Sequence, residues 1–243
     1  HRNTLDQAGE WHYDATARRV YLVSSGAPSG VEGAVIPDWY DAERSHDSFS
    51  GGVMIGNDLA AHVHHVVVEN LRISNWFSSG ISYPINLESD ENYDLVLRCN
   101  TILNPESTGI RLQTWVWNLG DDSNWYGGRN LTIEGNVIDG PNHFGLSANS
   151  RESVFINNVI RNVGLAQNLN RSGLGCDFEG ANCTENGDGL RLVVSRGDLN
   201  SYNILLRHNR IERTAYCGFD VFGSNLQIEQ NLVLEACITK GDC

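Results

Sequence analysis

The chain is 243 residues long, 40% hydrophobic and 19% charged, with 30 acidic residues against 17 basic ones and a formal net charge of −13. That length can bury a sizeable core, and no apolar run approaches the roughly 20 residues that a membrane-spanning helix needs. The acidic balance argues against a nucleic-acid backbone as partner, so membrane insertion and nucleic-acid binding are both set aside.

Residues 1–51 stand apart from 52–243. Segments 9–14 and 19–23 alternate apolar and polar residues around a short polar stretch, which predicts a β-hairpin. Residues 24–51 are rich in Gly, Ser, Pro and Asp and read as an irregular excursion.

From residue 52 one short pattern returns six times: apolar, any, apolar, any, any, anchor, any, apolar. The anchors are Leu71, Asn100, Asn136, Asn158, Asn209 and Asn231, and two residues after each comes Ile73, Ile102, Ile138, Ile160, Ile211 or Val233. Before each anchor sits a strand pair, such as Leu95/Leu97 or Ser153/Phe155. After the anchor a glycine opens a further strand, as Gly80, Gly109, Gly145, Gly189 and Gly218 do, with Gly52 ahead of the first anchor. Strand-only repetition with a minimum period of 22 residues predicts an all-β solenoid, a parallel β-helix of about six coils. Stacked Asn side chains can bond one another and the turn backbone, satisfying groups that a buried turn would strand.

Departures from the minimum coil mark loops. Insertions of 7, 14 and 7 residues follow Gly80, Gly109 and Gly189 at one corner, and 22 residues are added between Asn158 and Gly189 at the opposite one. They flank the glycine-led sheet from both sides and are expected to wall a groove over it. The last coil breaks off without an evident cap, which implies an end-to-end contact or a larger parent protein. Six cysteines lean toward an oxidising compartment. Cys176 and Cys183 share a polar loop they could staple. Cys217 and Cys237 fall about one coil apart, within bridging range. Cys99 has no evident partner, and Cys243 competes with Cys217 for Cys237.

The Asn-anchored repeats resemble the right-handed parallel β-helix proteins of the pectate-lyase-like superfamily. Segments 8–14 and 19–22 (Ala-Gly-Glu-Trp-His-Tyr-Asp and Arg-Val-Tyr-Leu) are similar to a hairpin preceding the helix in many bacterial secreted members. The resemblance implies that substrate lies along the glycine-led sheet. The outward residues there, two after each glycine, are Met54, Ser82, Arg111, Ser147, Arg191 and Asp220.

Neighbouring coils are ~4.8 Å apart, so Arg191 and Asp220 stand side by side. Asp220 is a candidate acid or base, and Arg191 and Arg111 are candidate ligands for a sugar carboxylate or hydroxyl. The plainer alternative for Arg191 and Asp220 is a surface ion pair worth under about 1 kcal/mol. Segment 186–189, Asn-Gly-Asp-Gly, resembles the Asn-Thr-Asp-Gly type motif of pectin-degrading hydrolases with Gly in place of Thr, which makes Asp188 a second catalytic carboxylate. Strict alternation back from Leu190 points Asp188 inward, where it would only shape the turn. His143 and Glu185 are further catalytic candidates.

The loop 115–126 carries Trp115, Trp117, Trp125 and Tyr126, aromatic faces on which sugar rings stack. Its Asp121 and Asp122 are a weak Ca2+ signal. His62, His64 and His65 lack further ligands at metal-binding spacing and read as a solvated turn.

The reading is a secreted or cell-surface β-helix that acts on, or binds, a polysaccharide, most simply as a glycoside hydrolase. A non-catalytic structural or adhesive solenoid is the alternative. An Arg-based lyase using Arg111 or Arg191 is the second.

Overall fold

Each repeat folds into three strands, and like strands of successive repeats pair in parallel. The computed structural model describes residues 11–14, 19–23, 51–55, 63–76, 78–82, 93–112, 114–116, 124–126, 128–165, 187–192 and 201–239. The chain divides into two units, His1–Gly33 and Ala34–Cys243. In the first, Trp11–Asp14 pairs antiparallel with Arg19–Leu22, the hairpin that the alternation predicts.

The second unit holds three parallel sheets. The glycine-led sheet comprises Gly51–Met54, Ser79–Ser82, Ile110–Leu112, Leu146–Ala148, Leu190–Leu192 and Phe219–Val221. The long-strand sheet comprises His64–Glu69, Tyr93–Arg98, Gly128–Arg129 with Thr132–Glu134, Ser150–Ile156, Tyr202–Arg207 and Ser224–Glu229. The short-strand sheet comprises Arg72–Ser74, Thr101–Leu103, Val137–Asp139, Val159–Val163, Arg210–Thr214 and Leu232–Leu234. This is an all-β parallel β-helix. No described helix is long and apolar enough to cross a membrane.

The core follows the sequence columns. Leu95, Leu97, Leu131, Ile133, Phe155, Ile204 and Leu206 line it from the long-strand sheet, and Ile102, Ile138, Ile160 and Ile211 from the short-strand sheet. Ser153 takes an aliphatic slot, and its hydroxyl is satisfied by accepting from Leu131 N (2.9 Å) and donating to Arg151 O (2.7 Å).

Between those two sheets runs the asparagine ladder. The side-chain oxygen of Asn158 accepts from both the backbone N and the Nδ2 of Asn136 (3.0 Å each), while its own Nδ2 donates to Ile133 O (2.9 Å) and Asn209 Oδ1 (3.0 Å). Asn136 and Asn209 repeat the pattern, and Asn100 repeats its two donations while its oxygen accepts from Leu71 N alone. The residue before each anchor is left-handed, with φ from +54° to +63° at Asn70, Cys99, Gly135, Asn157, His208 and Gln230. That conformation turns the chain sharply enough to bring the amide inside.

The glycine column has a different cause. A Cβ on Gly80, Gly109, Gly145 or Gly189 would lie 2.2–2.3 Å from the Cγ2 of Ile102, Ile138, Ile160 or Ile211, the short-strand isoleucine of the next coil. The sequence shows two independent columns, and the structure shows one packing contact.

At the last rung, residues equivalent to core positions are open: Ile228 is 47% and Val233 41% exposed. Neither Cys99 nor Cys217 is in a disulfide bond, so the expected Cys217–Cys237 bridge is not formed. The expectations on Cys176, Cys183 and Cys243 lie outside the described residues.

Replacing Gly145 by Ala sets a methyl against Ile160 and the Gly189 carbonyl. Overpacking of this kind costs about 1–3 kcal/mol. A lower urea midpoint at unchanged m-value is the expected result.

Candidate functional site

The outward column of the glycine-led sheet is in the predicted register: Met54, Ser82, Arg111, Ser147, Arg191 and Asp220 are successive partners. Its exposure is not what an open groove implies. Ser82 and Ser147 are each 1% exposed and Arg111 8%, although all three point away from the core. Accessibility rises toward Arg191 and Asp220, whose side chains are 14% and 20% exposed.

Arg191 Nε lies 3.2 Å from Asp220 Oδ2, so the expected pair forms, and it is more enclosed than a surface ion pair. The guanidinium also sits 5.1 Å from the centre of the Phe144 ring. Phe144 is outside the core cluster despite being buried. It therefore lies on the same outer side of the sheet as Arg191.

That contact corrects the phase assigned to Asp188. Phe144 immediately precedes Gly145, as Asp188 precedes Gly189 and Thr108 precedes Gly109. The hydrogen bonds Gly109 N to Phe144 O (2.9 Å), Gly145 N to Asp188 O (3.0 Å) and Gly189 N to Cys217 O (2.9 Å) stack these residues in one column. Each glycine faces the core isoleucine, and the residue after it faces the core too. Strict alternation fails at this corner, and the residue before the glycine emerges on the outer side. Asp188 stands to Asp220 as Phe144 stands to Arg191: one coil earlier, in the adjoining outer column.

Asp188 is fully buried, and its Oδ1 accepts a hydrogen bond from Cys217 N (3.0 Å). It thus fixes the following turn as well as facing outward. The hydroxyls of Ser79 and Thr108, in the same column, and of Ser107 beside it are buried with no hydrogen-bond partner. His143 stacks on Phe144 (centroids 3.8 Å apart) and joins the turn stack through Ser107 O (3.0 Å) and Gly187 N (2.8 Å). Phe144, Thr108 and Ser79 are the residues that sequence reasoning missed, because their facing depends on the corner geometry.

The aromatic loop begins as a hairpin that follows Arg111's strand in the chain: Thr114–Val116 pairs antiparallel with Asn124–Tyr126, placing Trp115 opposite Trp125. Trp117, Asp121, Asp122 and Glu185 lie outside the described residues. Among the described residues no group of three His, Cys, Asp or Glu is placed to hold a metal ion.

His64 and His65 belong to a strand rather than to a solvated turn. Their Nδ1 atoms are 2.7 Å apart, His64 stacks on Tyr93, and His65 Nε2 lies 3.1 Å from Asp94 Oδ2. On the same sheet the side-chain hydrogen bond to Glu69 raises the Arg98 pKa further above its already high ordinary value, which keeps Arg98 charged at any working pH.

A family model described as the right-handed beta helix region matches residues 116–242, more than half of the chain. The chain belongs to that family. No curated protein and no solved structure gives a significant match. Membership in the right-handed β-helix family fixes the hand of the solenoid and does not choose a chemistry.

Asp188→Ala removes the acceptor of Cys217 N–H and is expected to cost about 1–3 kcal/mol in urea unfolding. Asp188→Asn keeps an oxygen at that atom and should unfold close to the wild type. Equal loss in both variants would show that the charge, not the hydrogen bond, matters to folding.

Proposed function

We propose that this protein is a secreted or cell-surface glycoside hydrolase of the pectate-lyase-like kind, acting on a polysaccharide laid along the glycine-led sheet. The observation that carries the reading is the placement of Asp188 and Asp220 in adjoining outer columns of neighbouring coils. Hydrolysis needs two carboxyl groups, one to protonate the leaving oxygen and one to activate water, ~6.5–9.5 Å apart in inverting enzymes. The Gly189 corner and one coil separate the two backbones, at most about 11 Å, and short side chains converging from there leave room for the bond and a water.

Arg191 would orient Asp220. Trp115 and Trp125, paired across their hairpin, would be the stacking residues. Asp188 is buried, so the chain reaches it only when the groups over it move aside. The lyase reading ranks lower because Arg191 is paired with Asp220 and Arg111 is nearly buried. A structural or adhesive role is the second reading, and the hydrogen bond from Cys217 to a fully buried Asp188 is the observation favouring it.

The test is release of reducing ends from a panel of plant, algal and animal polysaccharides, with unsaturated-uronate absorbance read in parallel. Asp220→Asn and Asp188→Asn should each lower turnover by roughly 100-fold or more, the scale of a lost general acid or base. Growth in absorbance would move the reaction to elimination. Unchanged turnover in both variants would remove these carboxylates from the mechanism.

A further inference from the structure

The outer face of the long-strand sheet carries two adjoining columns whose charged and apolar groups follow a definite order along the solenoid. Alternation from the core residues Leu95, Leu97, Ile133, Phe155 and Leu206 turns the residues between and after them outward. One column runs Glu69, Arg98, Glu134, Ile156, Arg207, Glu229 in register from the first coil to the last. The column beside it, two residues earlier on each strand, runs Val67, Val96, Thr132, Val154, Leu205, Gln227. Val67 is 54% exposed, and Val96, Val154, Ile156 and Leu205 are each partly exposed. An apolar strip bordered by charges has the make-up of an interface centre with its rim.

We infer that this face docks a second copy of the chain, with the two solenoids antiparallel about a two-fold axis. From Arg98 to Glu229 the charges read plus, minus, none, plus, minus, so the column is neutral in a chain of net charge −13. Two copies therefore meet here without the repulsion that acts over the rest of their surfaces. The order is also self-complementary. A two-fold axis along strand Ser150–Ile156 lays each column on its own counterpart with the coils reversed. Arg98 then faces Glu229 of the second copy, Glu134 faces its Arg207, and Ile156 meets Ile156 on the axis. In the neighbouring column Val154 meets Val154 and Thr132 faces Leu205. Moving the axis by half a coil or a whole coil sets like charges opposite, such as Arg98 on Arg207 or Glu134 on itself. Within the chain Arg98 already pairs with Glu69, and Arg207 with Glu229. A guanidinium has donors to spare, so each can take a second carboxylate across the interface. Glu152 nears its own copy at the axis, where Arg151 next to it in each chain offsets the charge. Five coils and six residues of strand give a face of about 24 by 20 Å, on the order of 500 Å² per copy. That is the small end of specific interfaces, so the dimer is a weak one. The face belongs to a different sheet from Asp188 and Asp220, and the inference does not rest on the hydrolase reading.

The experiment is sedimentation equilibrium of the full chain from about 5 to 500 µM, a range that brackets a Kd on the order of 10–100 µM. The weight-average mass should climb from 26.9 kDa toward twice that value. Ile156→Lys sets two ammonium groups against each other on the axis and should weaken association at least about tenfold, with the circular dichroism unchanged. Glu134→Arg and Arg207→Glu should each weaken it as well. The double variant restores opposite charges across the axis while leaving the pairs along each column broken. It should recover the wild-type affinity to within about threefold, which a merely structural effect of the single changes would not allow. Overturning results are a mass of 26.9 kDa at every concentration or association untouched by Ile156→Lys. A double variant no better than the singles would equally overturn the antiparallel arrangement.

Discussion

The buried amide column is the constraint on which the rest of the structure depends. A turn inside a solenoid strands backbone donors and acceptors away from water, and each one left unmade costs about 1–3 kcal/mol. An asparagine at this position resolves the problem in both directions. Its oxygen accepts twice from the preceding coil's anchor, and its nitrogen donates once to that coil's strand and once to the next anchor. No other side chain of that length offers two acceptor sites and two donors on one planar group. At Leu71 the column ends: its backbone N still donates to Asn100 Oδ1 (3.1 Å), but leucine has nothing to offer a coil beyond it.

Once the amides fix the spacing, side-chain packing follows from it. The short-strand isoleucines project far enough to reach the opposite corner, so that corner must be glycine. The corner in turn sets which residues face out on the glycine-led sheet. Because the glycine and the residue after it both face the core, the residue before it is free to join the outer surface. The same steric requirement that seals the core therefore brings Asp188 into line with Arg191 and Asp220. Fold and candidate site share one cause.

Most of the solenoid was legible because its repeat is written in a few residue types: asparagine at every anchor but Leu71, isoleucine two later except at Val233, glycine at the corner. The register of Arg191 and Asp220 followed directly. What was not legible has physical reasons. Alternation assigned Asp188 to the core because a period of two assumes continuous strand, and the glycine corner breaks it. An open groove was expected from the loop insertions, yet Ser82, Arg111 and Ser147 are covered. Spacing along the chain gives column membership and says nothing of coverage. The Cys217–Cys237 bridge was inferred from coil separation alone, which does not choose among the cysteines within reach of Cys237.

The most direct test of this account is Asn158→Leu, which places at the centre of the ladder the residue that the chain itself uses at the ladder's end. Leucine is of similar size and fully apolar, so burial is kept while four hydrogen bonds to Asn136, Ile133 and Asn209 are lost. Equilibrium urea unfolding should show a loss of roughly 3 kcal/mol or more, with several buried groups unsatisfied at once. A midpoint equal to that of the wild type would contradict the claim that the amide column holds the coils together, and would leave apolar packing as the sole determinant of the fold.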